Sequence, residues 1–179
     1  SLLASKDAPV QDSANAAVDV VLGASDETPA EASQRLRSAW GSDTTVVCIV
    51  GEPVTRRRLG GRRLDSEMLT LVKDMARQLE KDMGSRAVFV TQGMSGVQET
   101  FADNCGDGSH VKNLMPFGQS SGLGKGDDIN AGGDIEERDE VFGLVGDIYI
   151  TVGGEGEVSQ IAKAAKAQGA KVVPLMRTG

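Results

Sequence analysis

The 179-residue chain reads as an α/β protein with a Rossmann-like, three-layer open parallel sheet and a helical N-terminal arm. Three observations predict this class. Apolar runs and amphipathic stretches alternate from residue 44 onward, and that alternation calls for right-handed βαβ crossovers. Aromatic residues are only 3%, so the core is built from Val, Ile, Leu, Met and Ala. Most of the 23 glycines fall in connections that follow apolar runs, where such a sheet turns sharply.

Residues 1–43 read as an acidic helical arm, with seven acidic and three basic side chains. Val10, Ala14, Ala17, Val18 and Val21 have helical spacing. Thr28-Pro29-Ala30-Glu31 has the form of an N-cap, an N1 proline and a capping-box acid, which opens a second helix running to Trp40. Residues 44–179 form the Rossmann-like domain. Its first element, Thr45 to Val50, is a continuous apolar run ending at Gly51, the pattern of a central strand buried on both faces. Leu64, Met68, Leu71, Val72, Met75 and Leu79 then form one apolar helix face.

Ala87 to Val90 is the next strand, followed by a turn over Gly93 to Gly96 and a short helix to about Asn104. Val111 to Phe117 is a further strand, although Asn113 and Pro116 weaken the pattern. Residues 118–133 are Gly-rich and read as a long, ligand-covering loop. Ile135 to Val145 is a helix, Asp147 to Val152 a strand, and Val158, Ile161, Ala162 and Ala165 a helical stripe. Lys171 to Met176 closes the sheet. No helix follows to cover it, so either the arm does so or the natural protein continues beyond Gly179.

Charge and composition exclude several function classes. The net charge of −7 opposes general attraction to nucleic acid or to an anionic membrane. There is no apolar run of about 18 residues to span a bilayer, so a soluble protein is expected. Two cysteines, Cys48 and Cys105, make neither a disulfide framework nor a metal motif, which fits a reducing compartment. That compartment is the cytoplasm, or a plastid or mitochondrion if Ser1 follows a removed targeting peptide.

Ligands of open α/β sheets bind beyond the carboxyl ends of the strands, where helix N-termini present backbone N–H groups to anions. Three glycine turns lie at such positions: Gly51-Glu52-Pro53, Gly93-Met94-Ser95-Gly96 and Gly153-Gly154-Glu155-Gly156. None has the Gly-Lys-Ser/Thr of a Walker A loop, and the last lacks the third glycine of a dinucleotide fingerprint. Neither ATP hydrolysis of that type nor NAD binding is indicated, and no cofactor or metal is called for.

The segment from Arg138, through Asp147 and the apolar strand, to Gly153-Gly154-Glu155-Gly156 resembles the cytokinin-activating phosphoribohydrolase family, also known as lysine decarboxylase-like proteins. That family's pattern is an Arg-Lys in a helix, a strand, then Gly-Gly-x-Gly-Thr-x-x-Glu. Gly93-x-x-Gly96 resembles the later part of its Gly-Gly-Gly-x-x-Gly loop, and the likeness spans residues 45–179. What the resemblance implies is a site for a nucleoside monophosphate or sugar phosphate. Gly51, Gly93, Gly96, Gly153, Gly154 and Gly156 would hold the ligand, Arg138 would contact phosphate or ribose, and the reaction would be hydrolysis of an N-glycosidic bond. The chain departs from the pattern at Thr91 and Gln92 (both Gly in the family), Asp139 (Lys), Glu157 (Thr) and Gln160 (the motif Glu).

Gln160 cannot act as a carboxylate. Glu157, three residues earlier on the same helix, is the acid that remains, with Arg138, Glu157 and Gln160 as the candidate catalytic positions. Acids at Glu155 and Glu157 would also stabilise the helix through its dipole, by roughly 0.3 to 1 kcal/mol each. Two readings follow: a nucleotide-binding protein resembling the phosphoribohydrolases, or a catalytically lapsed Rossmann-like subunit of a larger assembly. A homo-oligomer or a protein partner, reached through residues 1–43 or the Arg56 to Arg63 loop, is part of that expectation. Arg56, Arg57, Arg58, Arg62 and Arg63 form the one basic concentration in the acidic chain. His110, the only histidine, has no catalytic partners by spacing and reads as a loop residue. Cys105 reads as an exposed loop thiol, Cys48 as core, and Asp127, Asp128 and Asp134 as solvated acids.

Overall fold

A computed structural model of the chain describes residues 27–51, 66–153 and 156–175. The helix expected over residues 10–21, the Arg56 to Arg63 loop, Gly154, Glu155 and Met176 lie outside the described residues. Among the described residues, five α-helices and six strands follow in the order α1 (Pro29–Trp40), β1 (Thr45–Gly51), α2 (Ser66–Met83), β2 (Ala87–Thr91), α3 (Val97–Asn104), β3 (Val111–Met115), β4 (Asp127–Asn130), α4 (Ile135–Val145), β5 (Ile148–Val152), α5 (Gly156–Ala167) and β6 (Lys171–Leu175). All strand pairs are parallel, in the order β4-β3-β2-β1-β5-β6. The fold is Rossmann-like, and none of the described helices is long and apolar enough to cross a membrane.

Alternation along β1 divides the core. Val46, Cys48 and Val50 face a layer made by α1, α4 and α5, with Leu36, Val141, Phe142, Val158 and Ile161. Val47 and Ile49 face α2 and α3, with Val72, Ala76, Val97 and Phe101. A strand buried on both faces needs apolar residues at every position, which is why β1 lacks a period-two pattern. The capping box of α1 forms as its sequence predicts: Glu31 donates its backbone N–H to the Thr28 hydroxyl, and Thr28 donates its backbone N–H to the Glu31 carboxylate at 2.9 Å. Ala32 and Leu36 seat α1 in the core beside α4. Arg37 ties its last turn to Asp147 at 2.6 Å, and Asp147 also accepts the backbone N–H of Val46.

The long loop expected over residues 118–133 contains a strand, β4. Its sequence, Asp-Asp-Ile-Asn, has one apolar residue and poor β-propensity, so no pattern announced it. Side chains fix it instead. Lys112 pairs with Asp127, and Asn113 donates to Asp128 at 3.1 Å, across the β3–β4 register. Asp128 also accepts from the hydroxyls of Ser120 and Ser121, both at 2.6 Å, and from the Ser121 backbone N–H. The eleven residues between β3 and β4 thus make a parallel crossover without a helix, tied down at the strand they serve.

Partial burial works to raise the Asp128 carboxyl, but the hydrogen bonds from Ser120, Ser121 and Asn113 outweigh it and hold the group below the usual carboxylate range. A depressed folded value stabilises the fold above the unfolded value, about pH 4, and that contribution is lost as pH falls through the folded value. Asp128→Asn should therefore be less stable than the wild type at pH 7, with the gap closing towards pH 3. Urea denaturation at the two pH values measures this, and an equal gap at both would contradict it.

Cys105 is a correction. It is buried rather than exposed, because the turn after α3 folds it against α2, where its thiol meets Glu80 at 3.5 Å. Burial and the neighbouring Glu80 push that thiol up to about 12, and burial raises Cys48 further still. Neither is a nucleophile at neutral pH. His110 also faces Glu80, its Nδ1 3.0 Å from the carboxylate.

Candidate functional site at the carboxyl edge of the sheet

The chain leaves β1 for β2 on one side and returns from α4 to β5 on the other, so the topological switch point lies between β1 and β5. Gly51 and Val152 pair across it, and the carboxyl ends of these strands frame the crevice where open α/β sheets take ligands. The glycines around it differ in what they do. A Cβ on Gly51 would lie 2.5 Å from Val97 Cβ, so Gly51 lets α3 approach the end of β1. Gly93 is enclosed in the same way by Met115 and Ser121, and Gly96 is the buried N-cap of α3. Gly153 is exposed, has φ +91°, and would meet nothing within 4 Å; Gly156, the first residue of α5, is equally open. Of the glycines in the three candidate turns, Gly153 and Gly156 are the described ones for which an added Cβ would meet nothing within 4 Å.

Beside that turn lies a buried polar hub. Gln92, directly after β2, is 1% exposed, and Arg138, in the second turn of α4, is 5% exposed. Buried polar groups need partners, and Gln92 finds them on three helices. Its backbone N–H donates to Gln98 Oε1 of α3 at 2.7 Å, and Gln98 Nε2 returns a bond to Gln92 Oε1 at 3.2 Å. Its carbonyl accepts from Arg138 Nη1 at 2.9 Å. Its Nε2 donates to Asp139 Oδ1 of α4 at 2.8 Å and to Glu157 Oε1 of α5 at 3.3 Å.

Arg138 Nε lies 2.7 Å from Asp139 Oδ1, close enough for an ion pair. The direction of its N–H is wrong for a hydrogen bond, so this buried donor has no acceptor. The cluster holds one cation against two carboxylates.

Of the sequence-predicted positions, Arg138 and Glu157 are brought together through Gln92. Gln160 is not: it is exposed further along α5 and makes no hydrogen bond among the described residues. Asp134 caps α4 by accepting the Glu137 N–H at 2.9 Å. Among the described residues no group of three or more His, Cys, Asp or Glu is placed to hold a metal ion. A cleft of about 420 Å³ opens at the opposite, amino end of the sheet, but its charged side chains, Arg37 and Asp147, are paired with each other.

Sequence reasoning singled out Gln92 and Asp139 only as departures from a motif and gave neither a role. The signal was available: Gln92, Asp139 and Glu157 depart from the same pattern together, and in the fold Asp139 and Glu157 both accept from Gln92.

These features define a Rossmann-like α/β domain with a polar hub at its switch point. No protein-family model and no curated protein sequence matches the chain. Among solved structures, it is similar to TM1055, a structural-genomics target, at 22% identity with a TM-score of 0.62 and 76% of each chain covered. It is also similar to DNA processing protein A from Helicobacter pylori, described for its single-stranded DNA binding mode, at 16% identity and a TM-score of 0.55, covering 79% of this chain and 70% of that one. Likeness at these identities shows the fold.

Proposed function

We propose that this protein binds a small phosphorylated ligand, a nucleoside monophosphate or sugar phosphate, at the carboxyl edge between β1 and β5, and does not cleave its glycosidic bond. The observation that carries this reading is the placing of buried Arg138 and its Gln92 hub beside the open N-terminus of α5. Backbone N–H groups of a first helical turn have no partners within the helix, and with the helix dipole they favour a phosphate. The sequence resemblance to phosphoribohydrolases points to the same ligand class.

Hydrolysis would need a carboxylate at the bond being broken, to stabilise oxocarbenium-like charge or to orient water. Gln160 supplies only an amide, and Glu157 is engaged with Gln92. A catalytically lapsed domain is consistent with both facts, and its retention as a subunit of an assembly is the second reading. The single-stranded DNA binding named for the Helicobacter pylori neighbour is not proposed for this chain. A net charge of −7 disfavours the many phosphate contacts of a nucleic-acid backbone.

Thermal unfolding with adenosine monophosphate, with ribose 5-phosphate and with inorganic phosphate alone tests the binding. A hundredfold excess over Kd stabilises the native state by about 2.7 kcal/mol, or roughly 5–10 °C for a domain of this size. No shift with either organic phosphate would overturn the reading. Chromatography of the incubated nucleotide should show no free base. Release of base that disappears in Glu157→Gln would instead make Glu157 the working acid.

A further inference from the structure

We propose that residues 118–124 form a strap over the glycine turn that follows β2, latched by the Asp128 carboxylate, and that this strap opens as a unit while the sheet stays folded. The opening regulates access to the carboxyl edge of the sheet and does not depend on the identity of a ligand there. The strap is the middle of the helix-free crossover between β3 and β4, and both its ends are pinned. Before it, Phe117 donates its backbone N–H to the Gly132 carbonyl at 2.9 Å. After it, Lys125 Nζ donates to the carbonyls of Asp103 and Gly106, at 3.1 and 2.7 Å, at and just beyond the end of α3.

Between those pins the hold is polar. No residue of 118–124 belongs to either core cluster. Among the described residues, the hydrogen bonds that tie residues 120–124 to the rest of the fold all end on Asp128: from the hydroxyls of Ser120 and Ser121, both at 2.6 Å, and from the Ser121 N–H at 2.9 Å. The backbone N–H groups of Gly122 and Leu123 donate within the strap, to the Ser120 and Ser121 hydroxyls. Gly118 and Gly122 have φ of +75° and +68°, and an added Cβ at either would meet nothing within 4 Å. These two serve the turn of the chain rather than close packing, so the segment can swing without breaking a packed contact there. Closed, the strap covers something: a Cβ on Gly93 would lie 2.7 Å from Ser121 Cβ, so Ser121 rests on the turn between Gln92 and α3. A segment with few apolar contacts and one point of attachment between its ends opens at a lower free energy than the sheet beside it. Hydrogen bonds to a carboxylate are stronger than neutral ones, which makes Asp128 the latch.

Native-state hydrogen exchange of the full chain, followed amide by amide by nuclear magnetic resonance at low guanidinium concentrations, tests this. Divided by the intrinsic rate of each amide, exchange at Ser121 and Gly93 should be alike, at least about a hundredfold faster than in β1, and insensitive to denaturant, which marks a local opening. Loss of both hydroxyls in Ser120→Ala/Ser121→Ala should speed the two amides by one common factor of about ten, since two hydrogen bonds to a charged group are lost. Asp128 and its bond from Asn113 are untouched in that variant, so β4 keeps its pairing. Exchange at Ser121 in step with β1 would overturn the inference, because the strap would then open only with the sheet. Exchange at Ser121 that the loss of the hydroxyls leaves unchanged would remove Asp128 as the latch and overturn it as well. Exchange at Gly93 that follows β1 rather than Ser121 would overturn it too, since the strap would not cover the turn.

Discussion

Gln92→Ala should unfold about 6–12 °C below the wild type, a loss of about 3 kcal/mol for a domain of this size. The side chain is 1% exposed, so its removal leaves a cavity, and large-to-small changes at such sites cost about 2–5 kcal/mol. It also strips partners from three other groups: Gln98 Nε2 loses its acceptor, and Asp139 and Glu157 lose their common donor. The backbone bonds to Gln98 and Arg138 survive, which keeps the loss from being larger. Gln92→Glu would be worse than its similar volume suggests, because a third carboxylate would replace the amide that the other two share. Thermal unfolding by circular dichroism measures both variants. A loss below about 1 kcal/mol for Gln92→Ala would mean that the hub is ornamental to the fold.

Arg138→Met should cost about 2–3 kcal/mol. Breaking a fully buried ion pair costs about 3–5 kcal/mol, and the lower figure is appropriate here because Asp139 is a quarter exposed and can turn to water. The Gln92 carbonyl would lose its Nη1 donor at the same time. Arg138→Lys should not restore the loss, since an ammonium cannot reproduce the planar fork that reaches the carbonyl with one nitrogen while another lies on Asp139. Because Arg138 and Gln92 share one network, the double variant Gln92→Ala/Arg138→Met should lose less than the two single losses added, by at least about 0.5 kcal/mol. Were Arg138 chiefly a grip on phosphate, Arg138→Met would weaken ligand binding and leave the melting temperature of the free protein almost unchanged. Chemical denaturation of the three variants distinguishes the outcomes.

The main architecture was legible because its signals are local. The all-apolar run of β1 announced a strand buried on two faces, and the Thr28-Pro29-Ala30-Glu31 box announced the start of α1. The helix over Ile135–Val145 forms as read, while Asp134, read as a solvated acid, is its N-cap. What escaped depends on side chains meeting across the sheet. Strand β4 carries almost no β-propensity and exists through Lys112–Asp127 and Asn113–Asp128. Cys105 looked like a loop thiol because the closure of its turn onto Glu80 is a contact between residues 25 apart.

Arg138 and Glu157 were picked by motif, and in the fold both bond to Gln92. Gly51 and Gly93 were picked by the same reasoning, and the space around them is filled by Val97, Met115 and Ser121. A glycine that lets two elements touch and a glycine that lets a ligand approach look alike in one sequence. Gln92 was the central omission: its role comes from partners 6, 46, 47 and 65 residues away, and no window along the chain contains them.

Backbone amide chemical shifts, followed by nuclear magnetic resonance as adenosine monophosphate is added to the full chain, test the location of the ligand most directly. The account predicts that the shifting amides cluster at the carboxyl edge, on Gly93, Gly153, Gly156, Glu157 and Asp139, while those of Leu144, Asp147, Gln168 and Gly169 at the amino end stay put. Shifts confined to that amino-end cleft, or no shifts at saturating nucleotide, would contradict it.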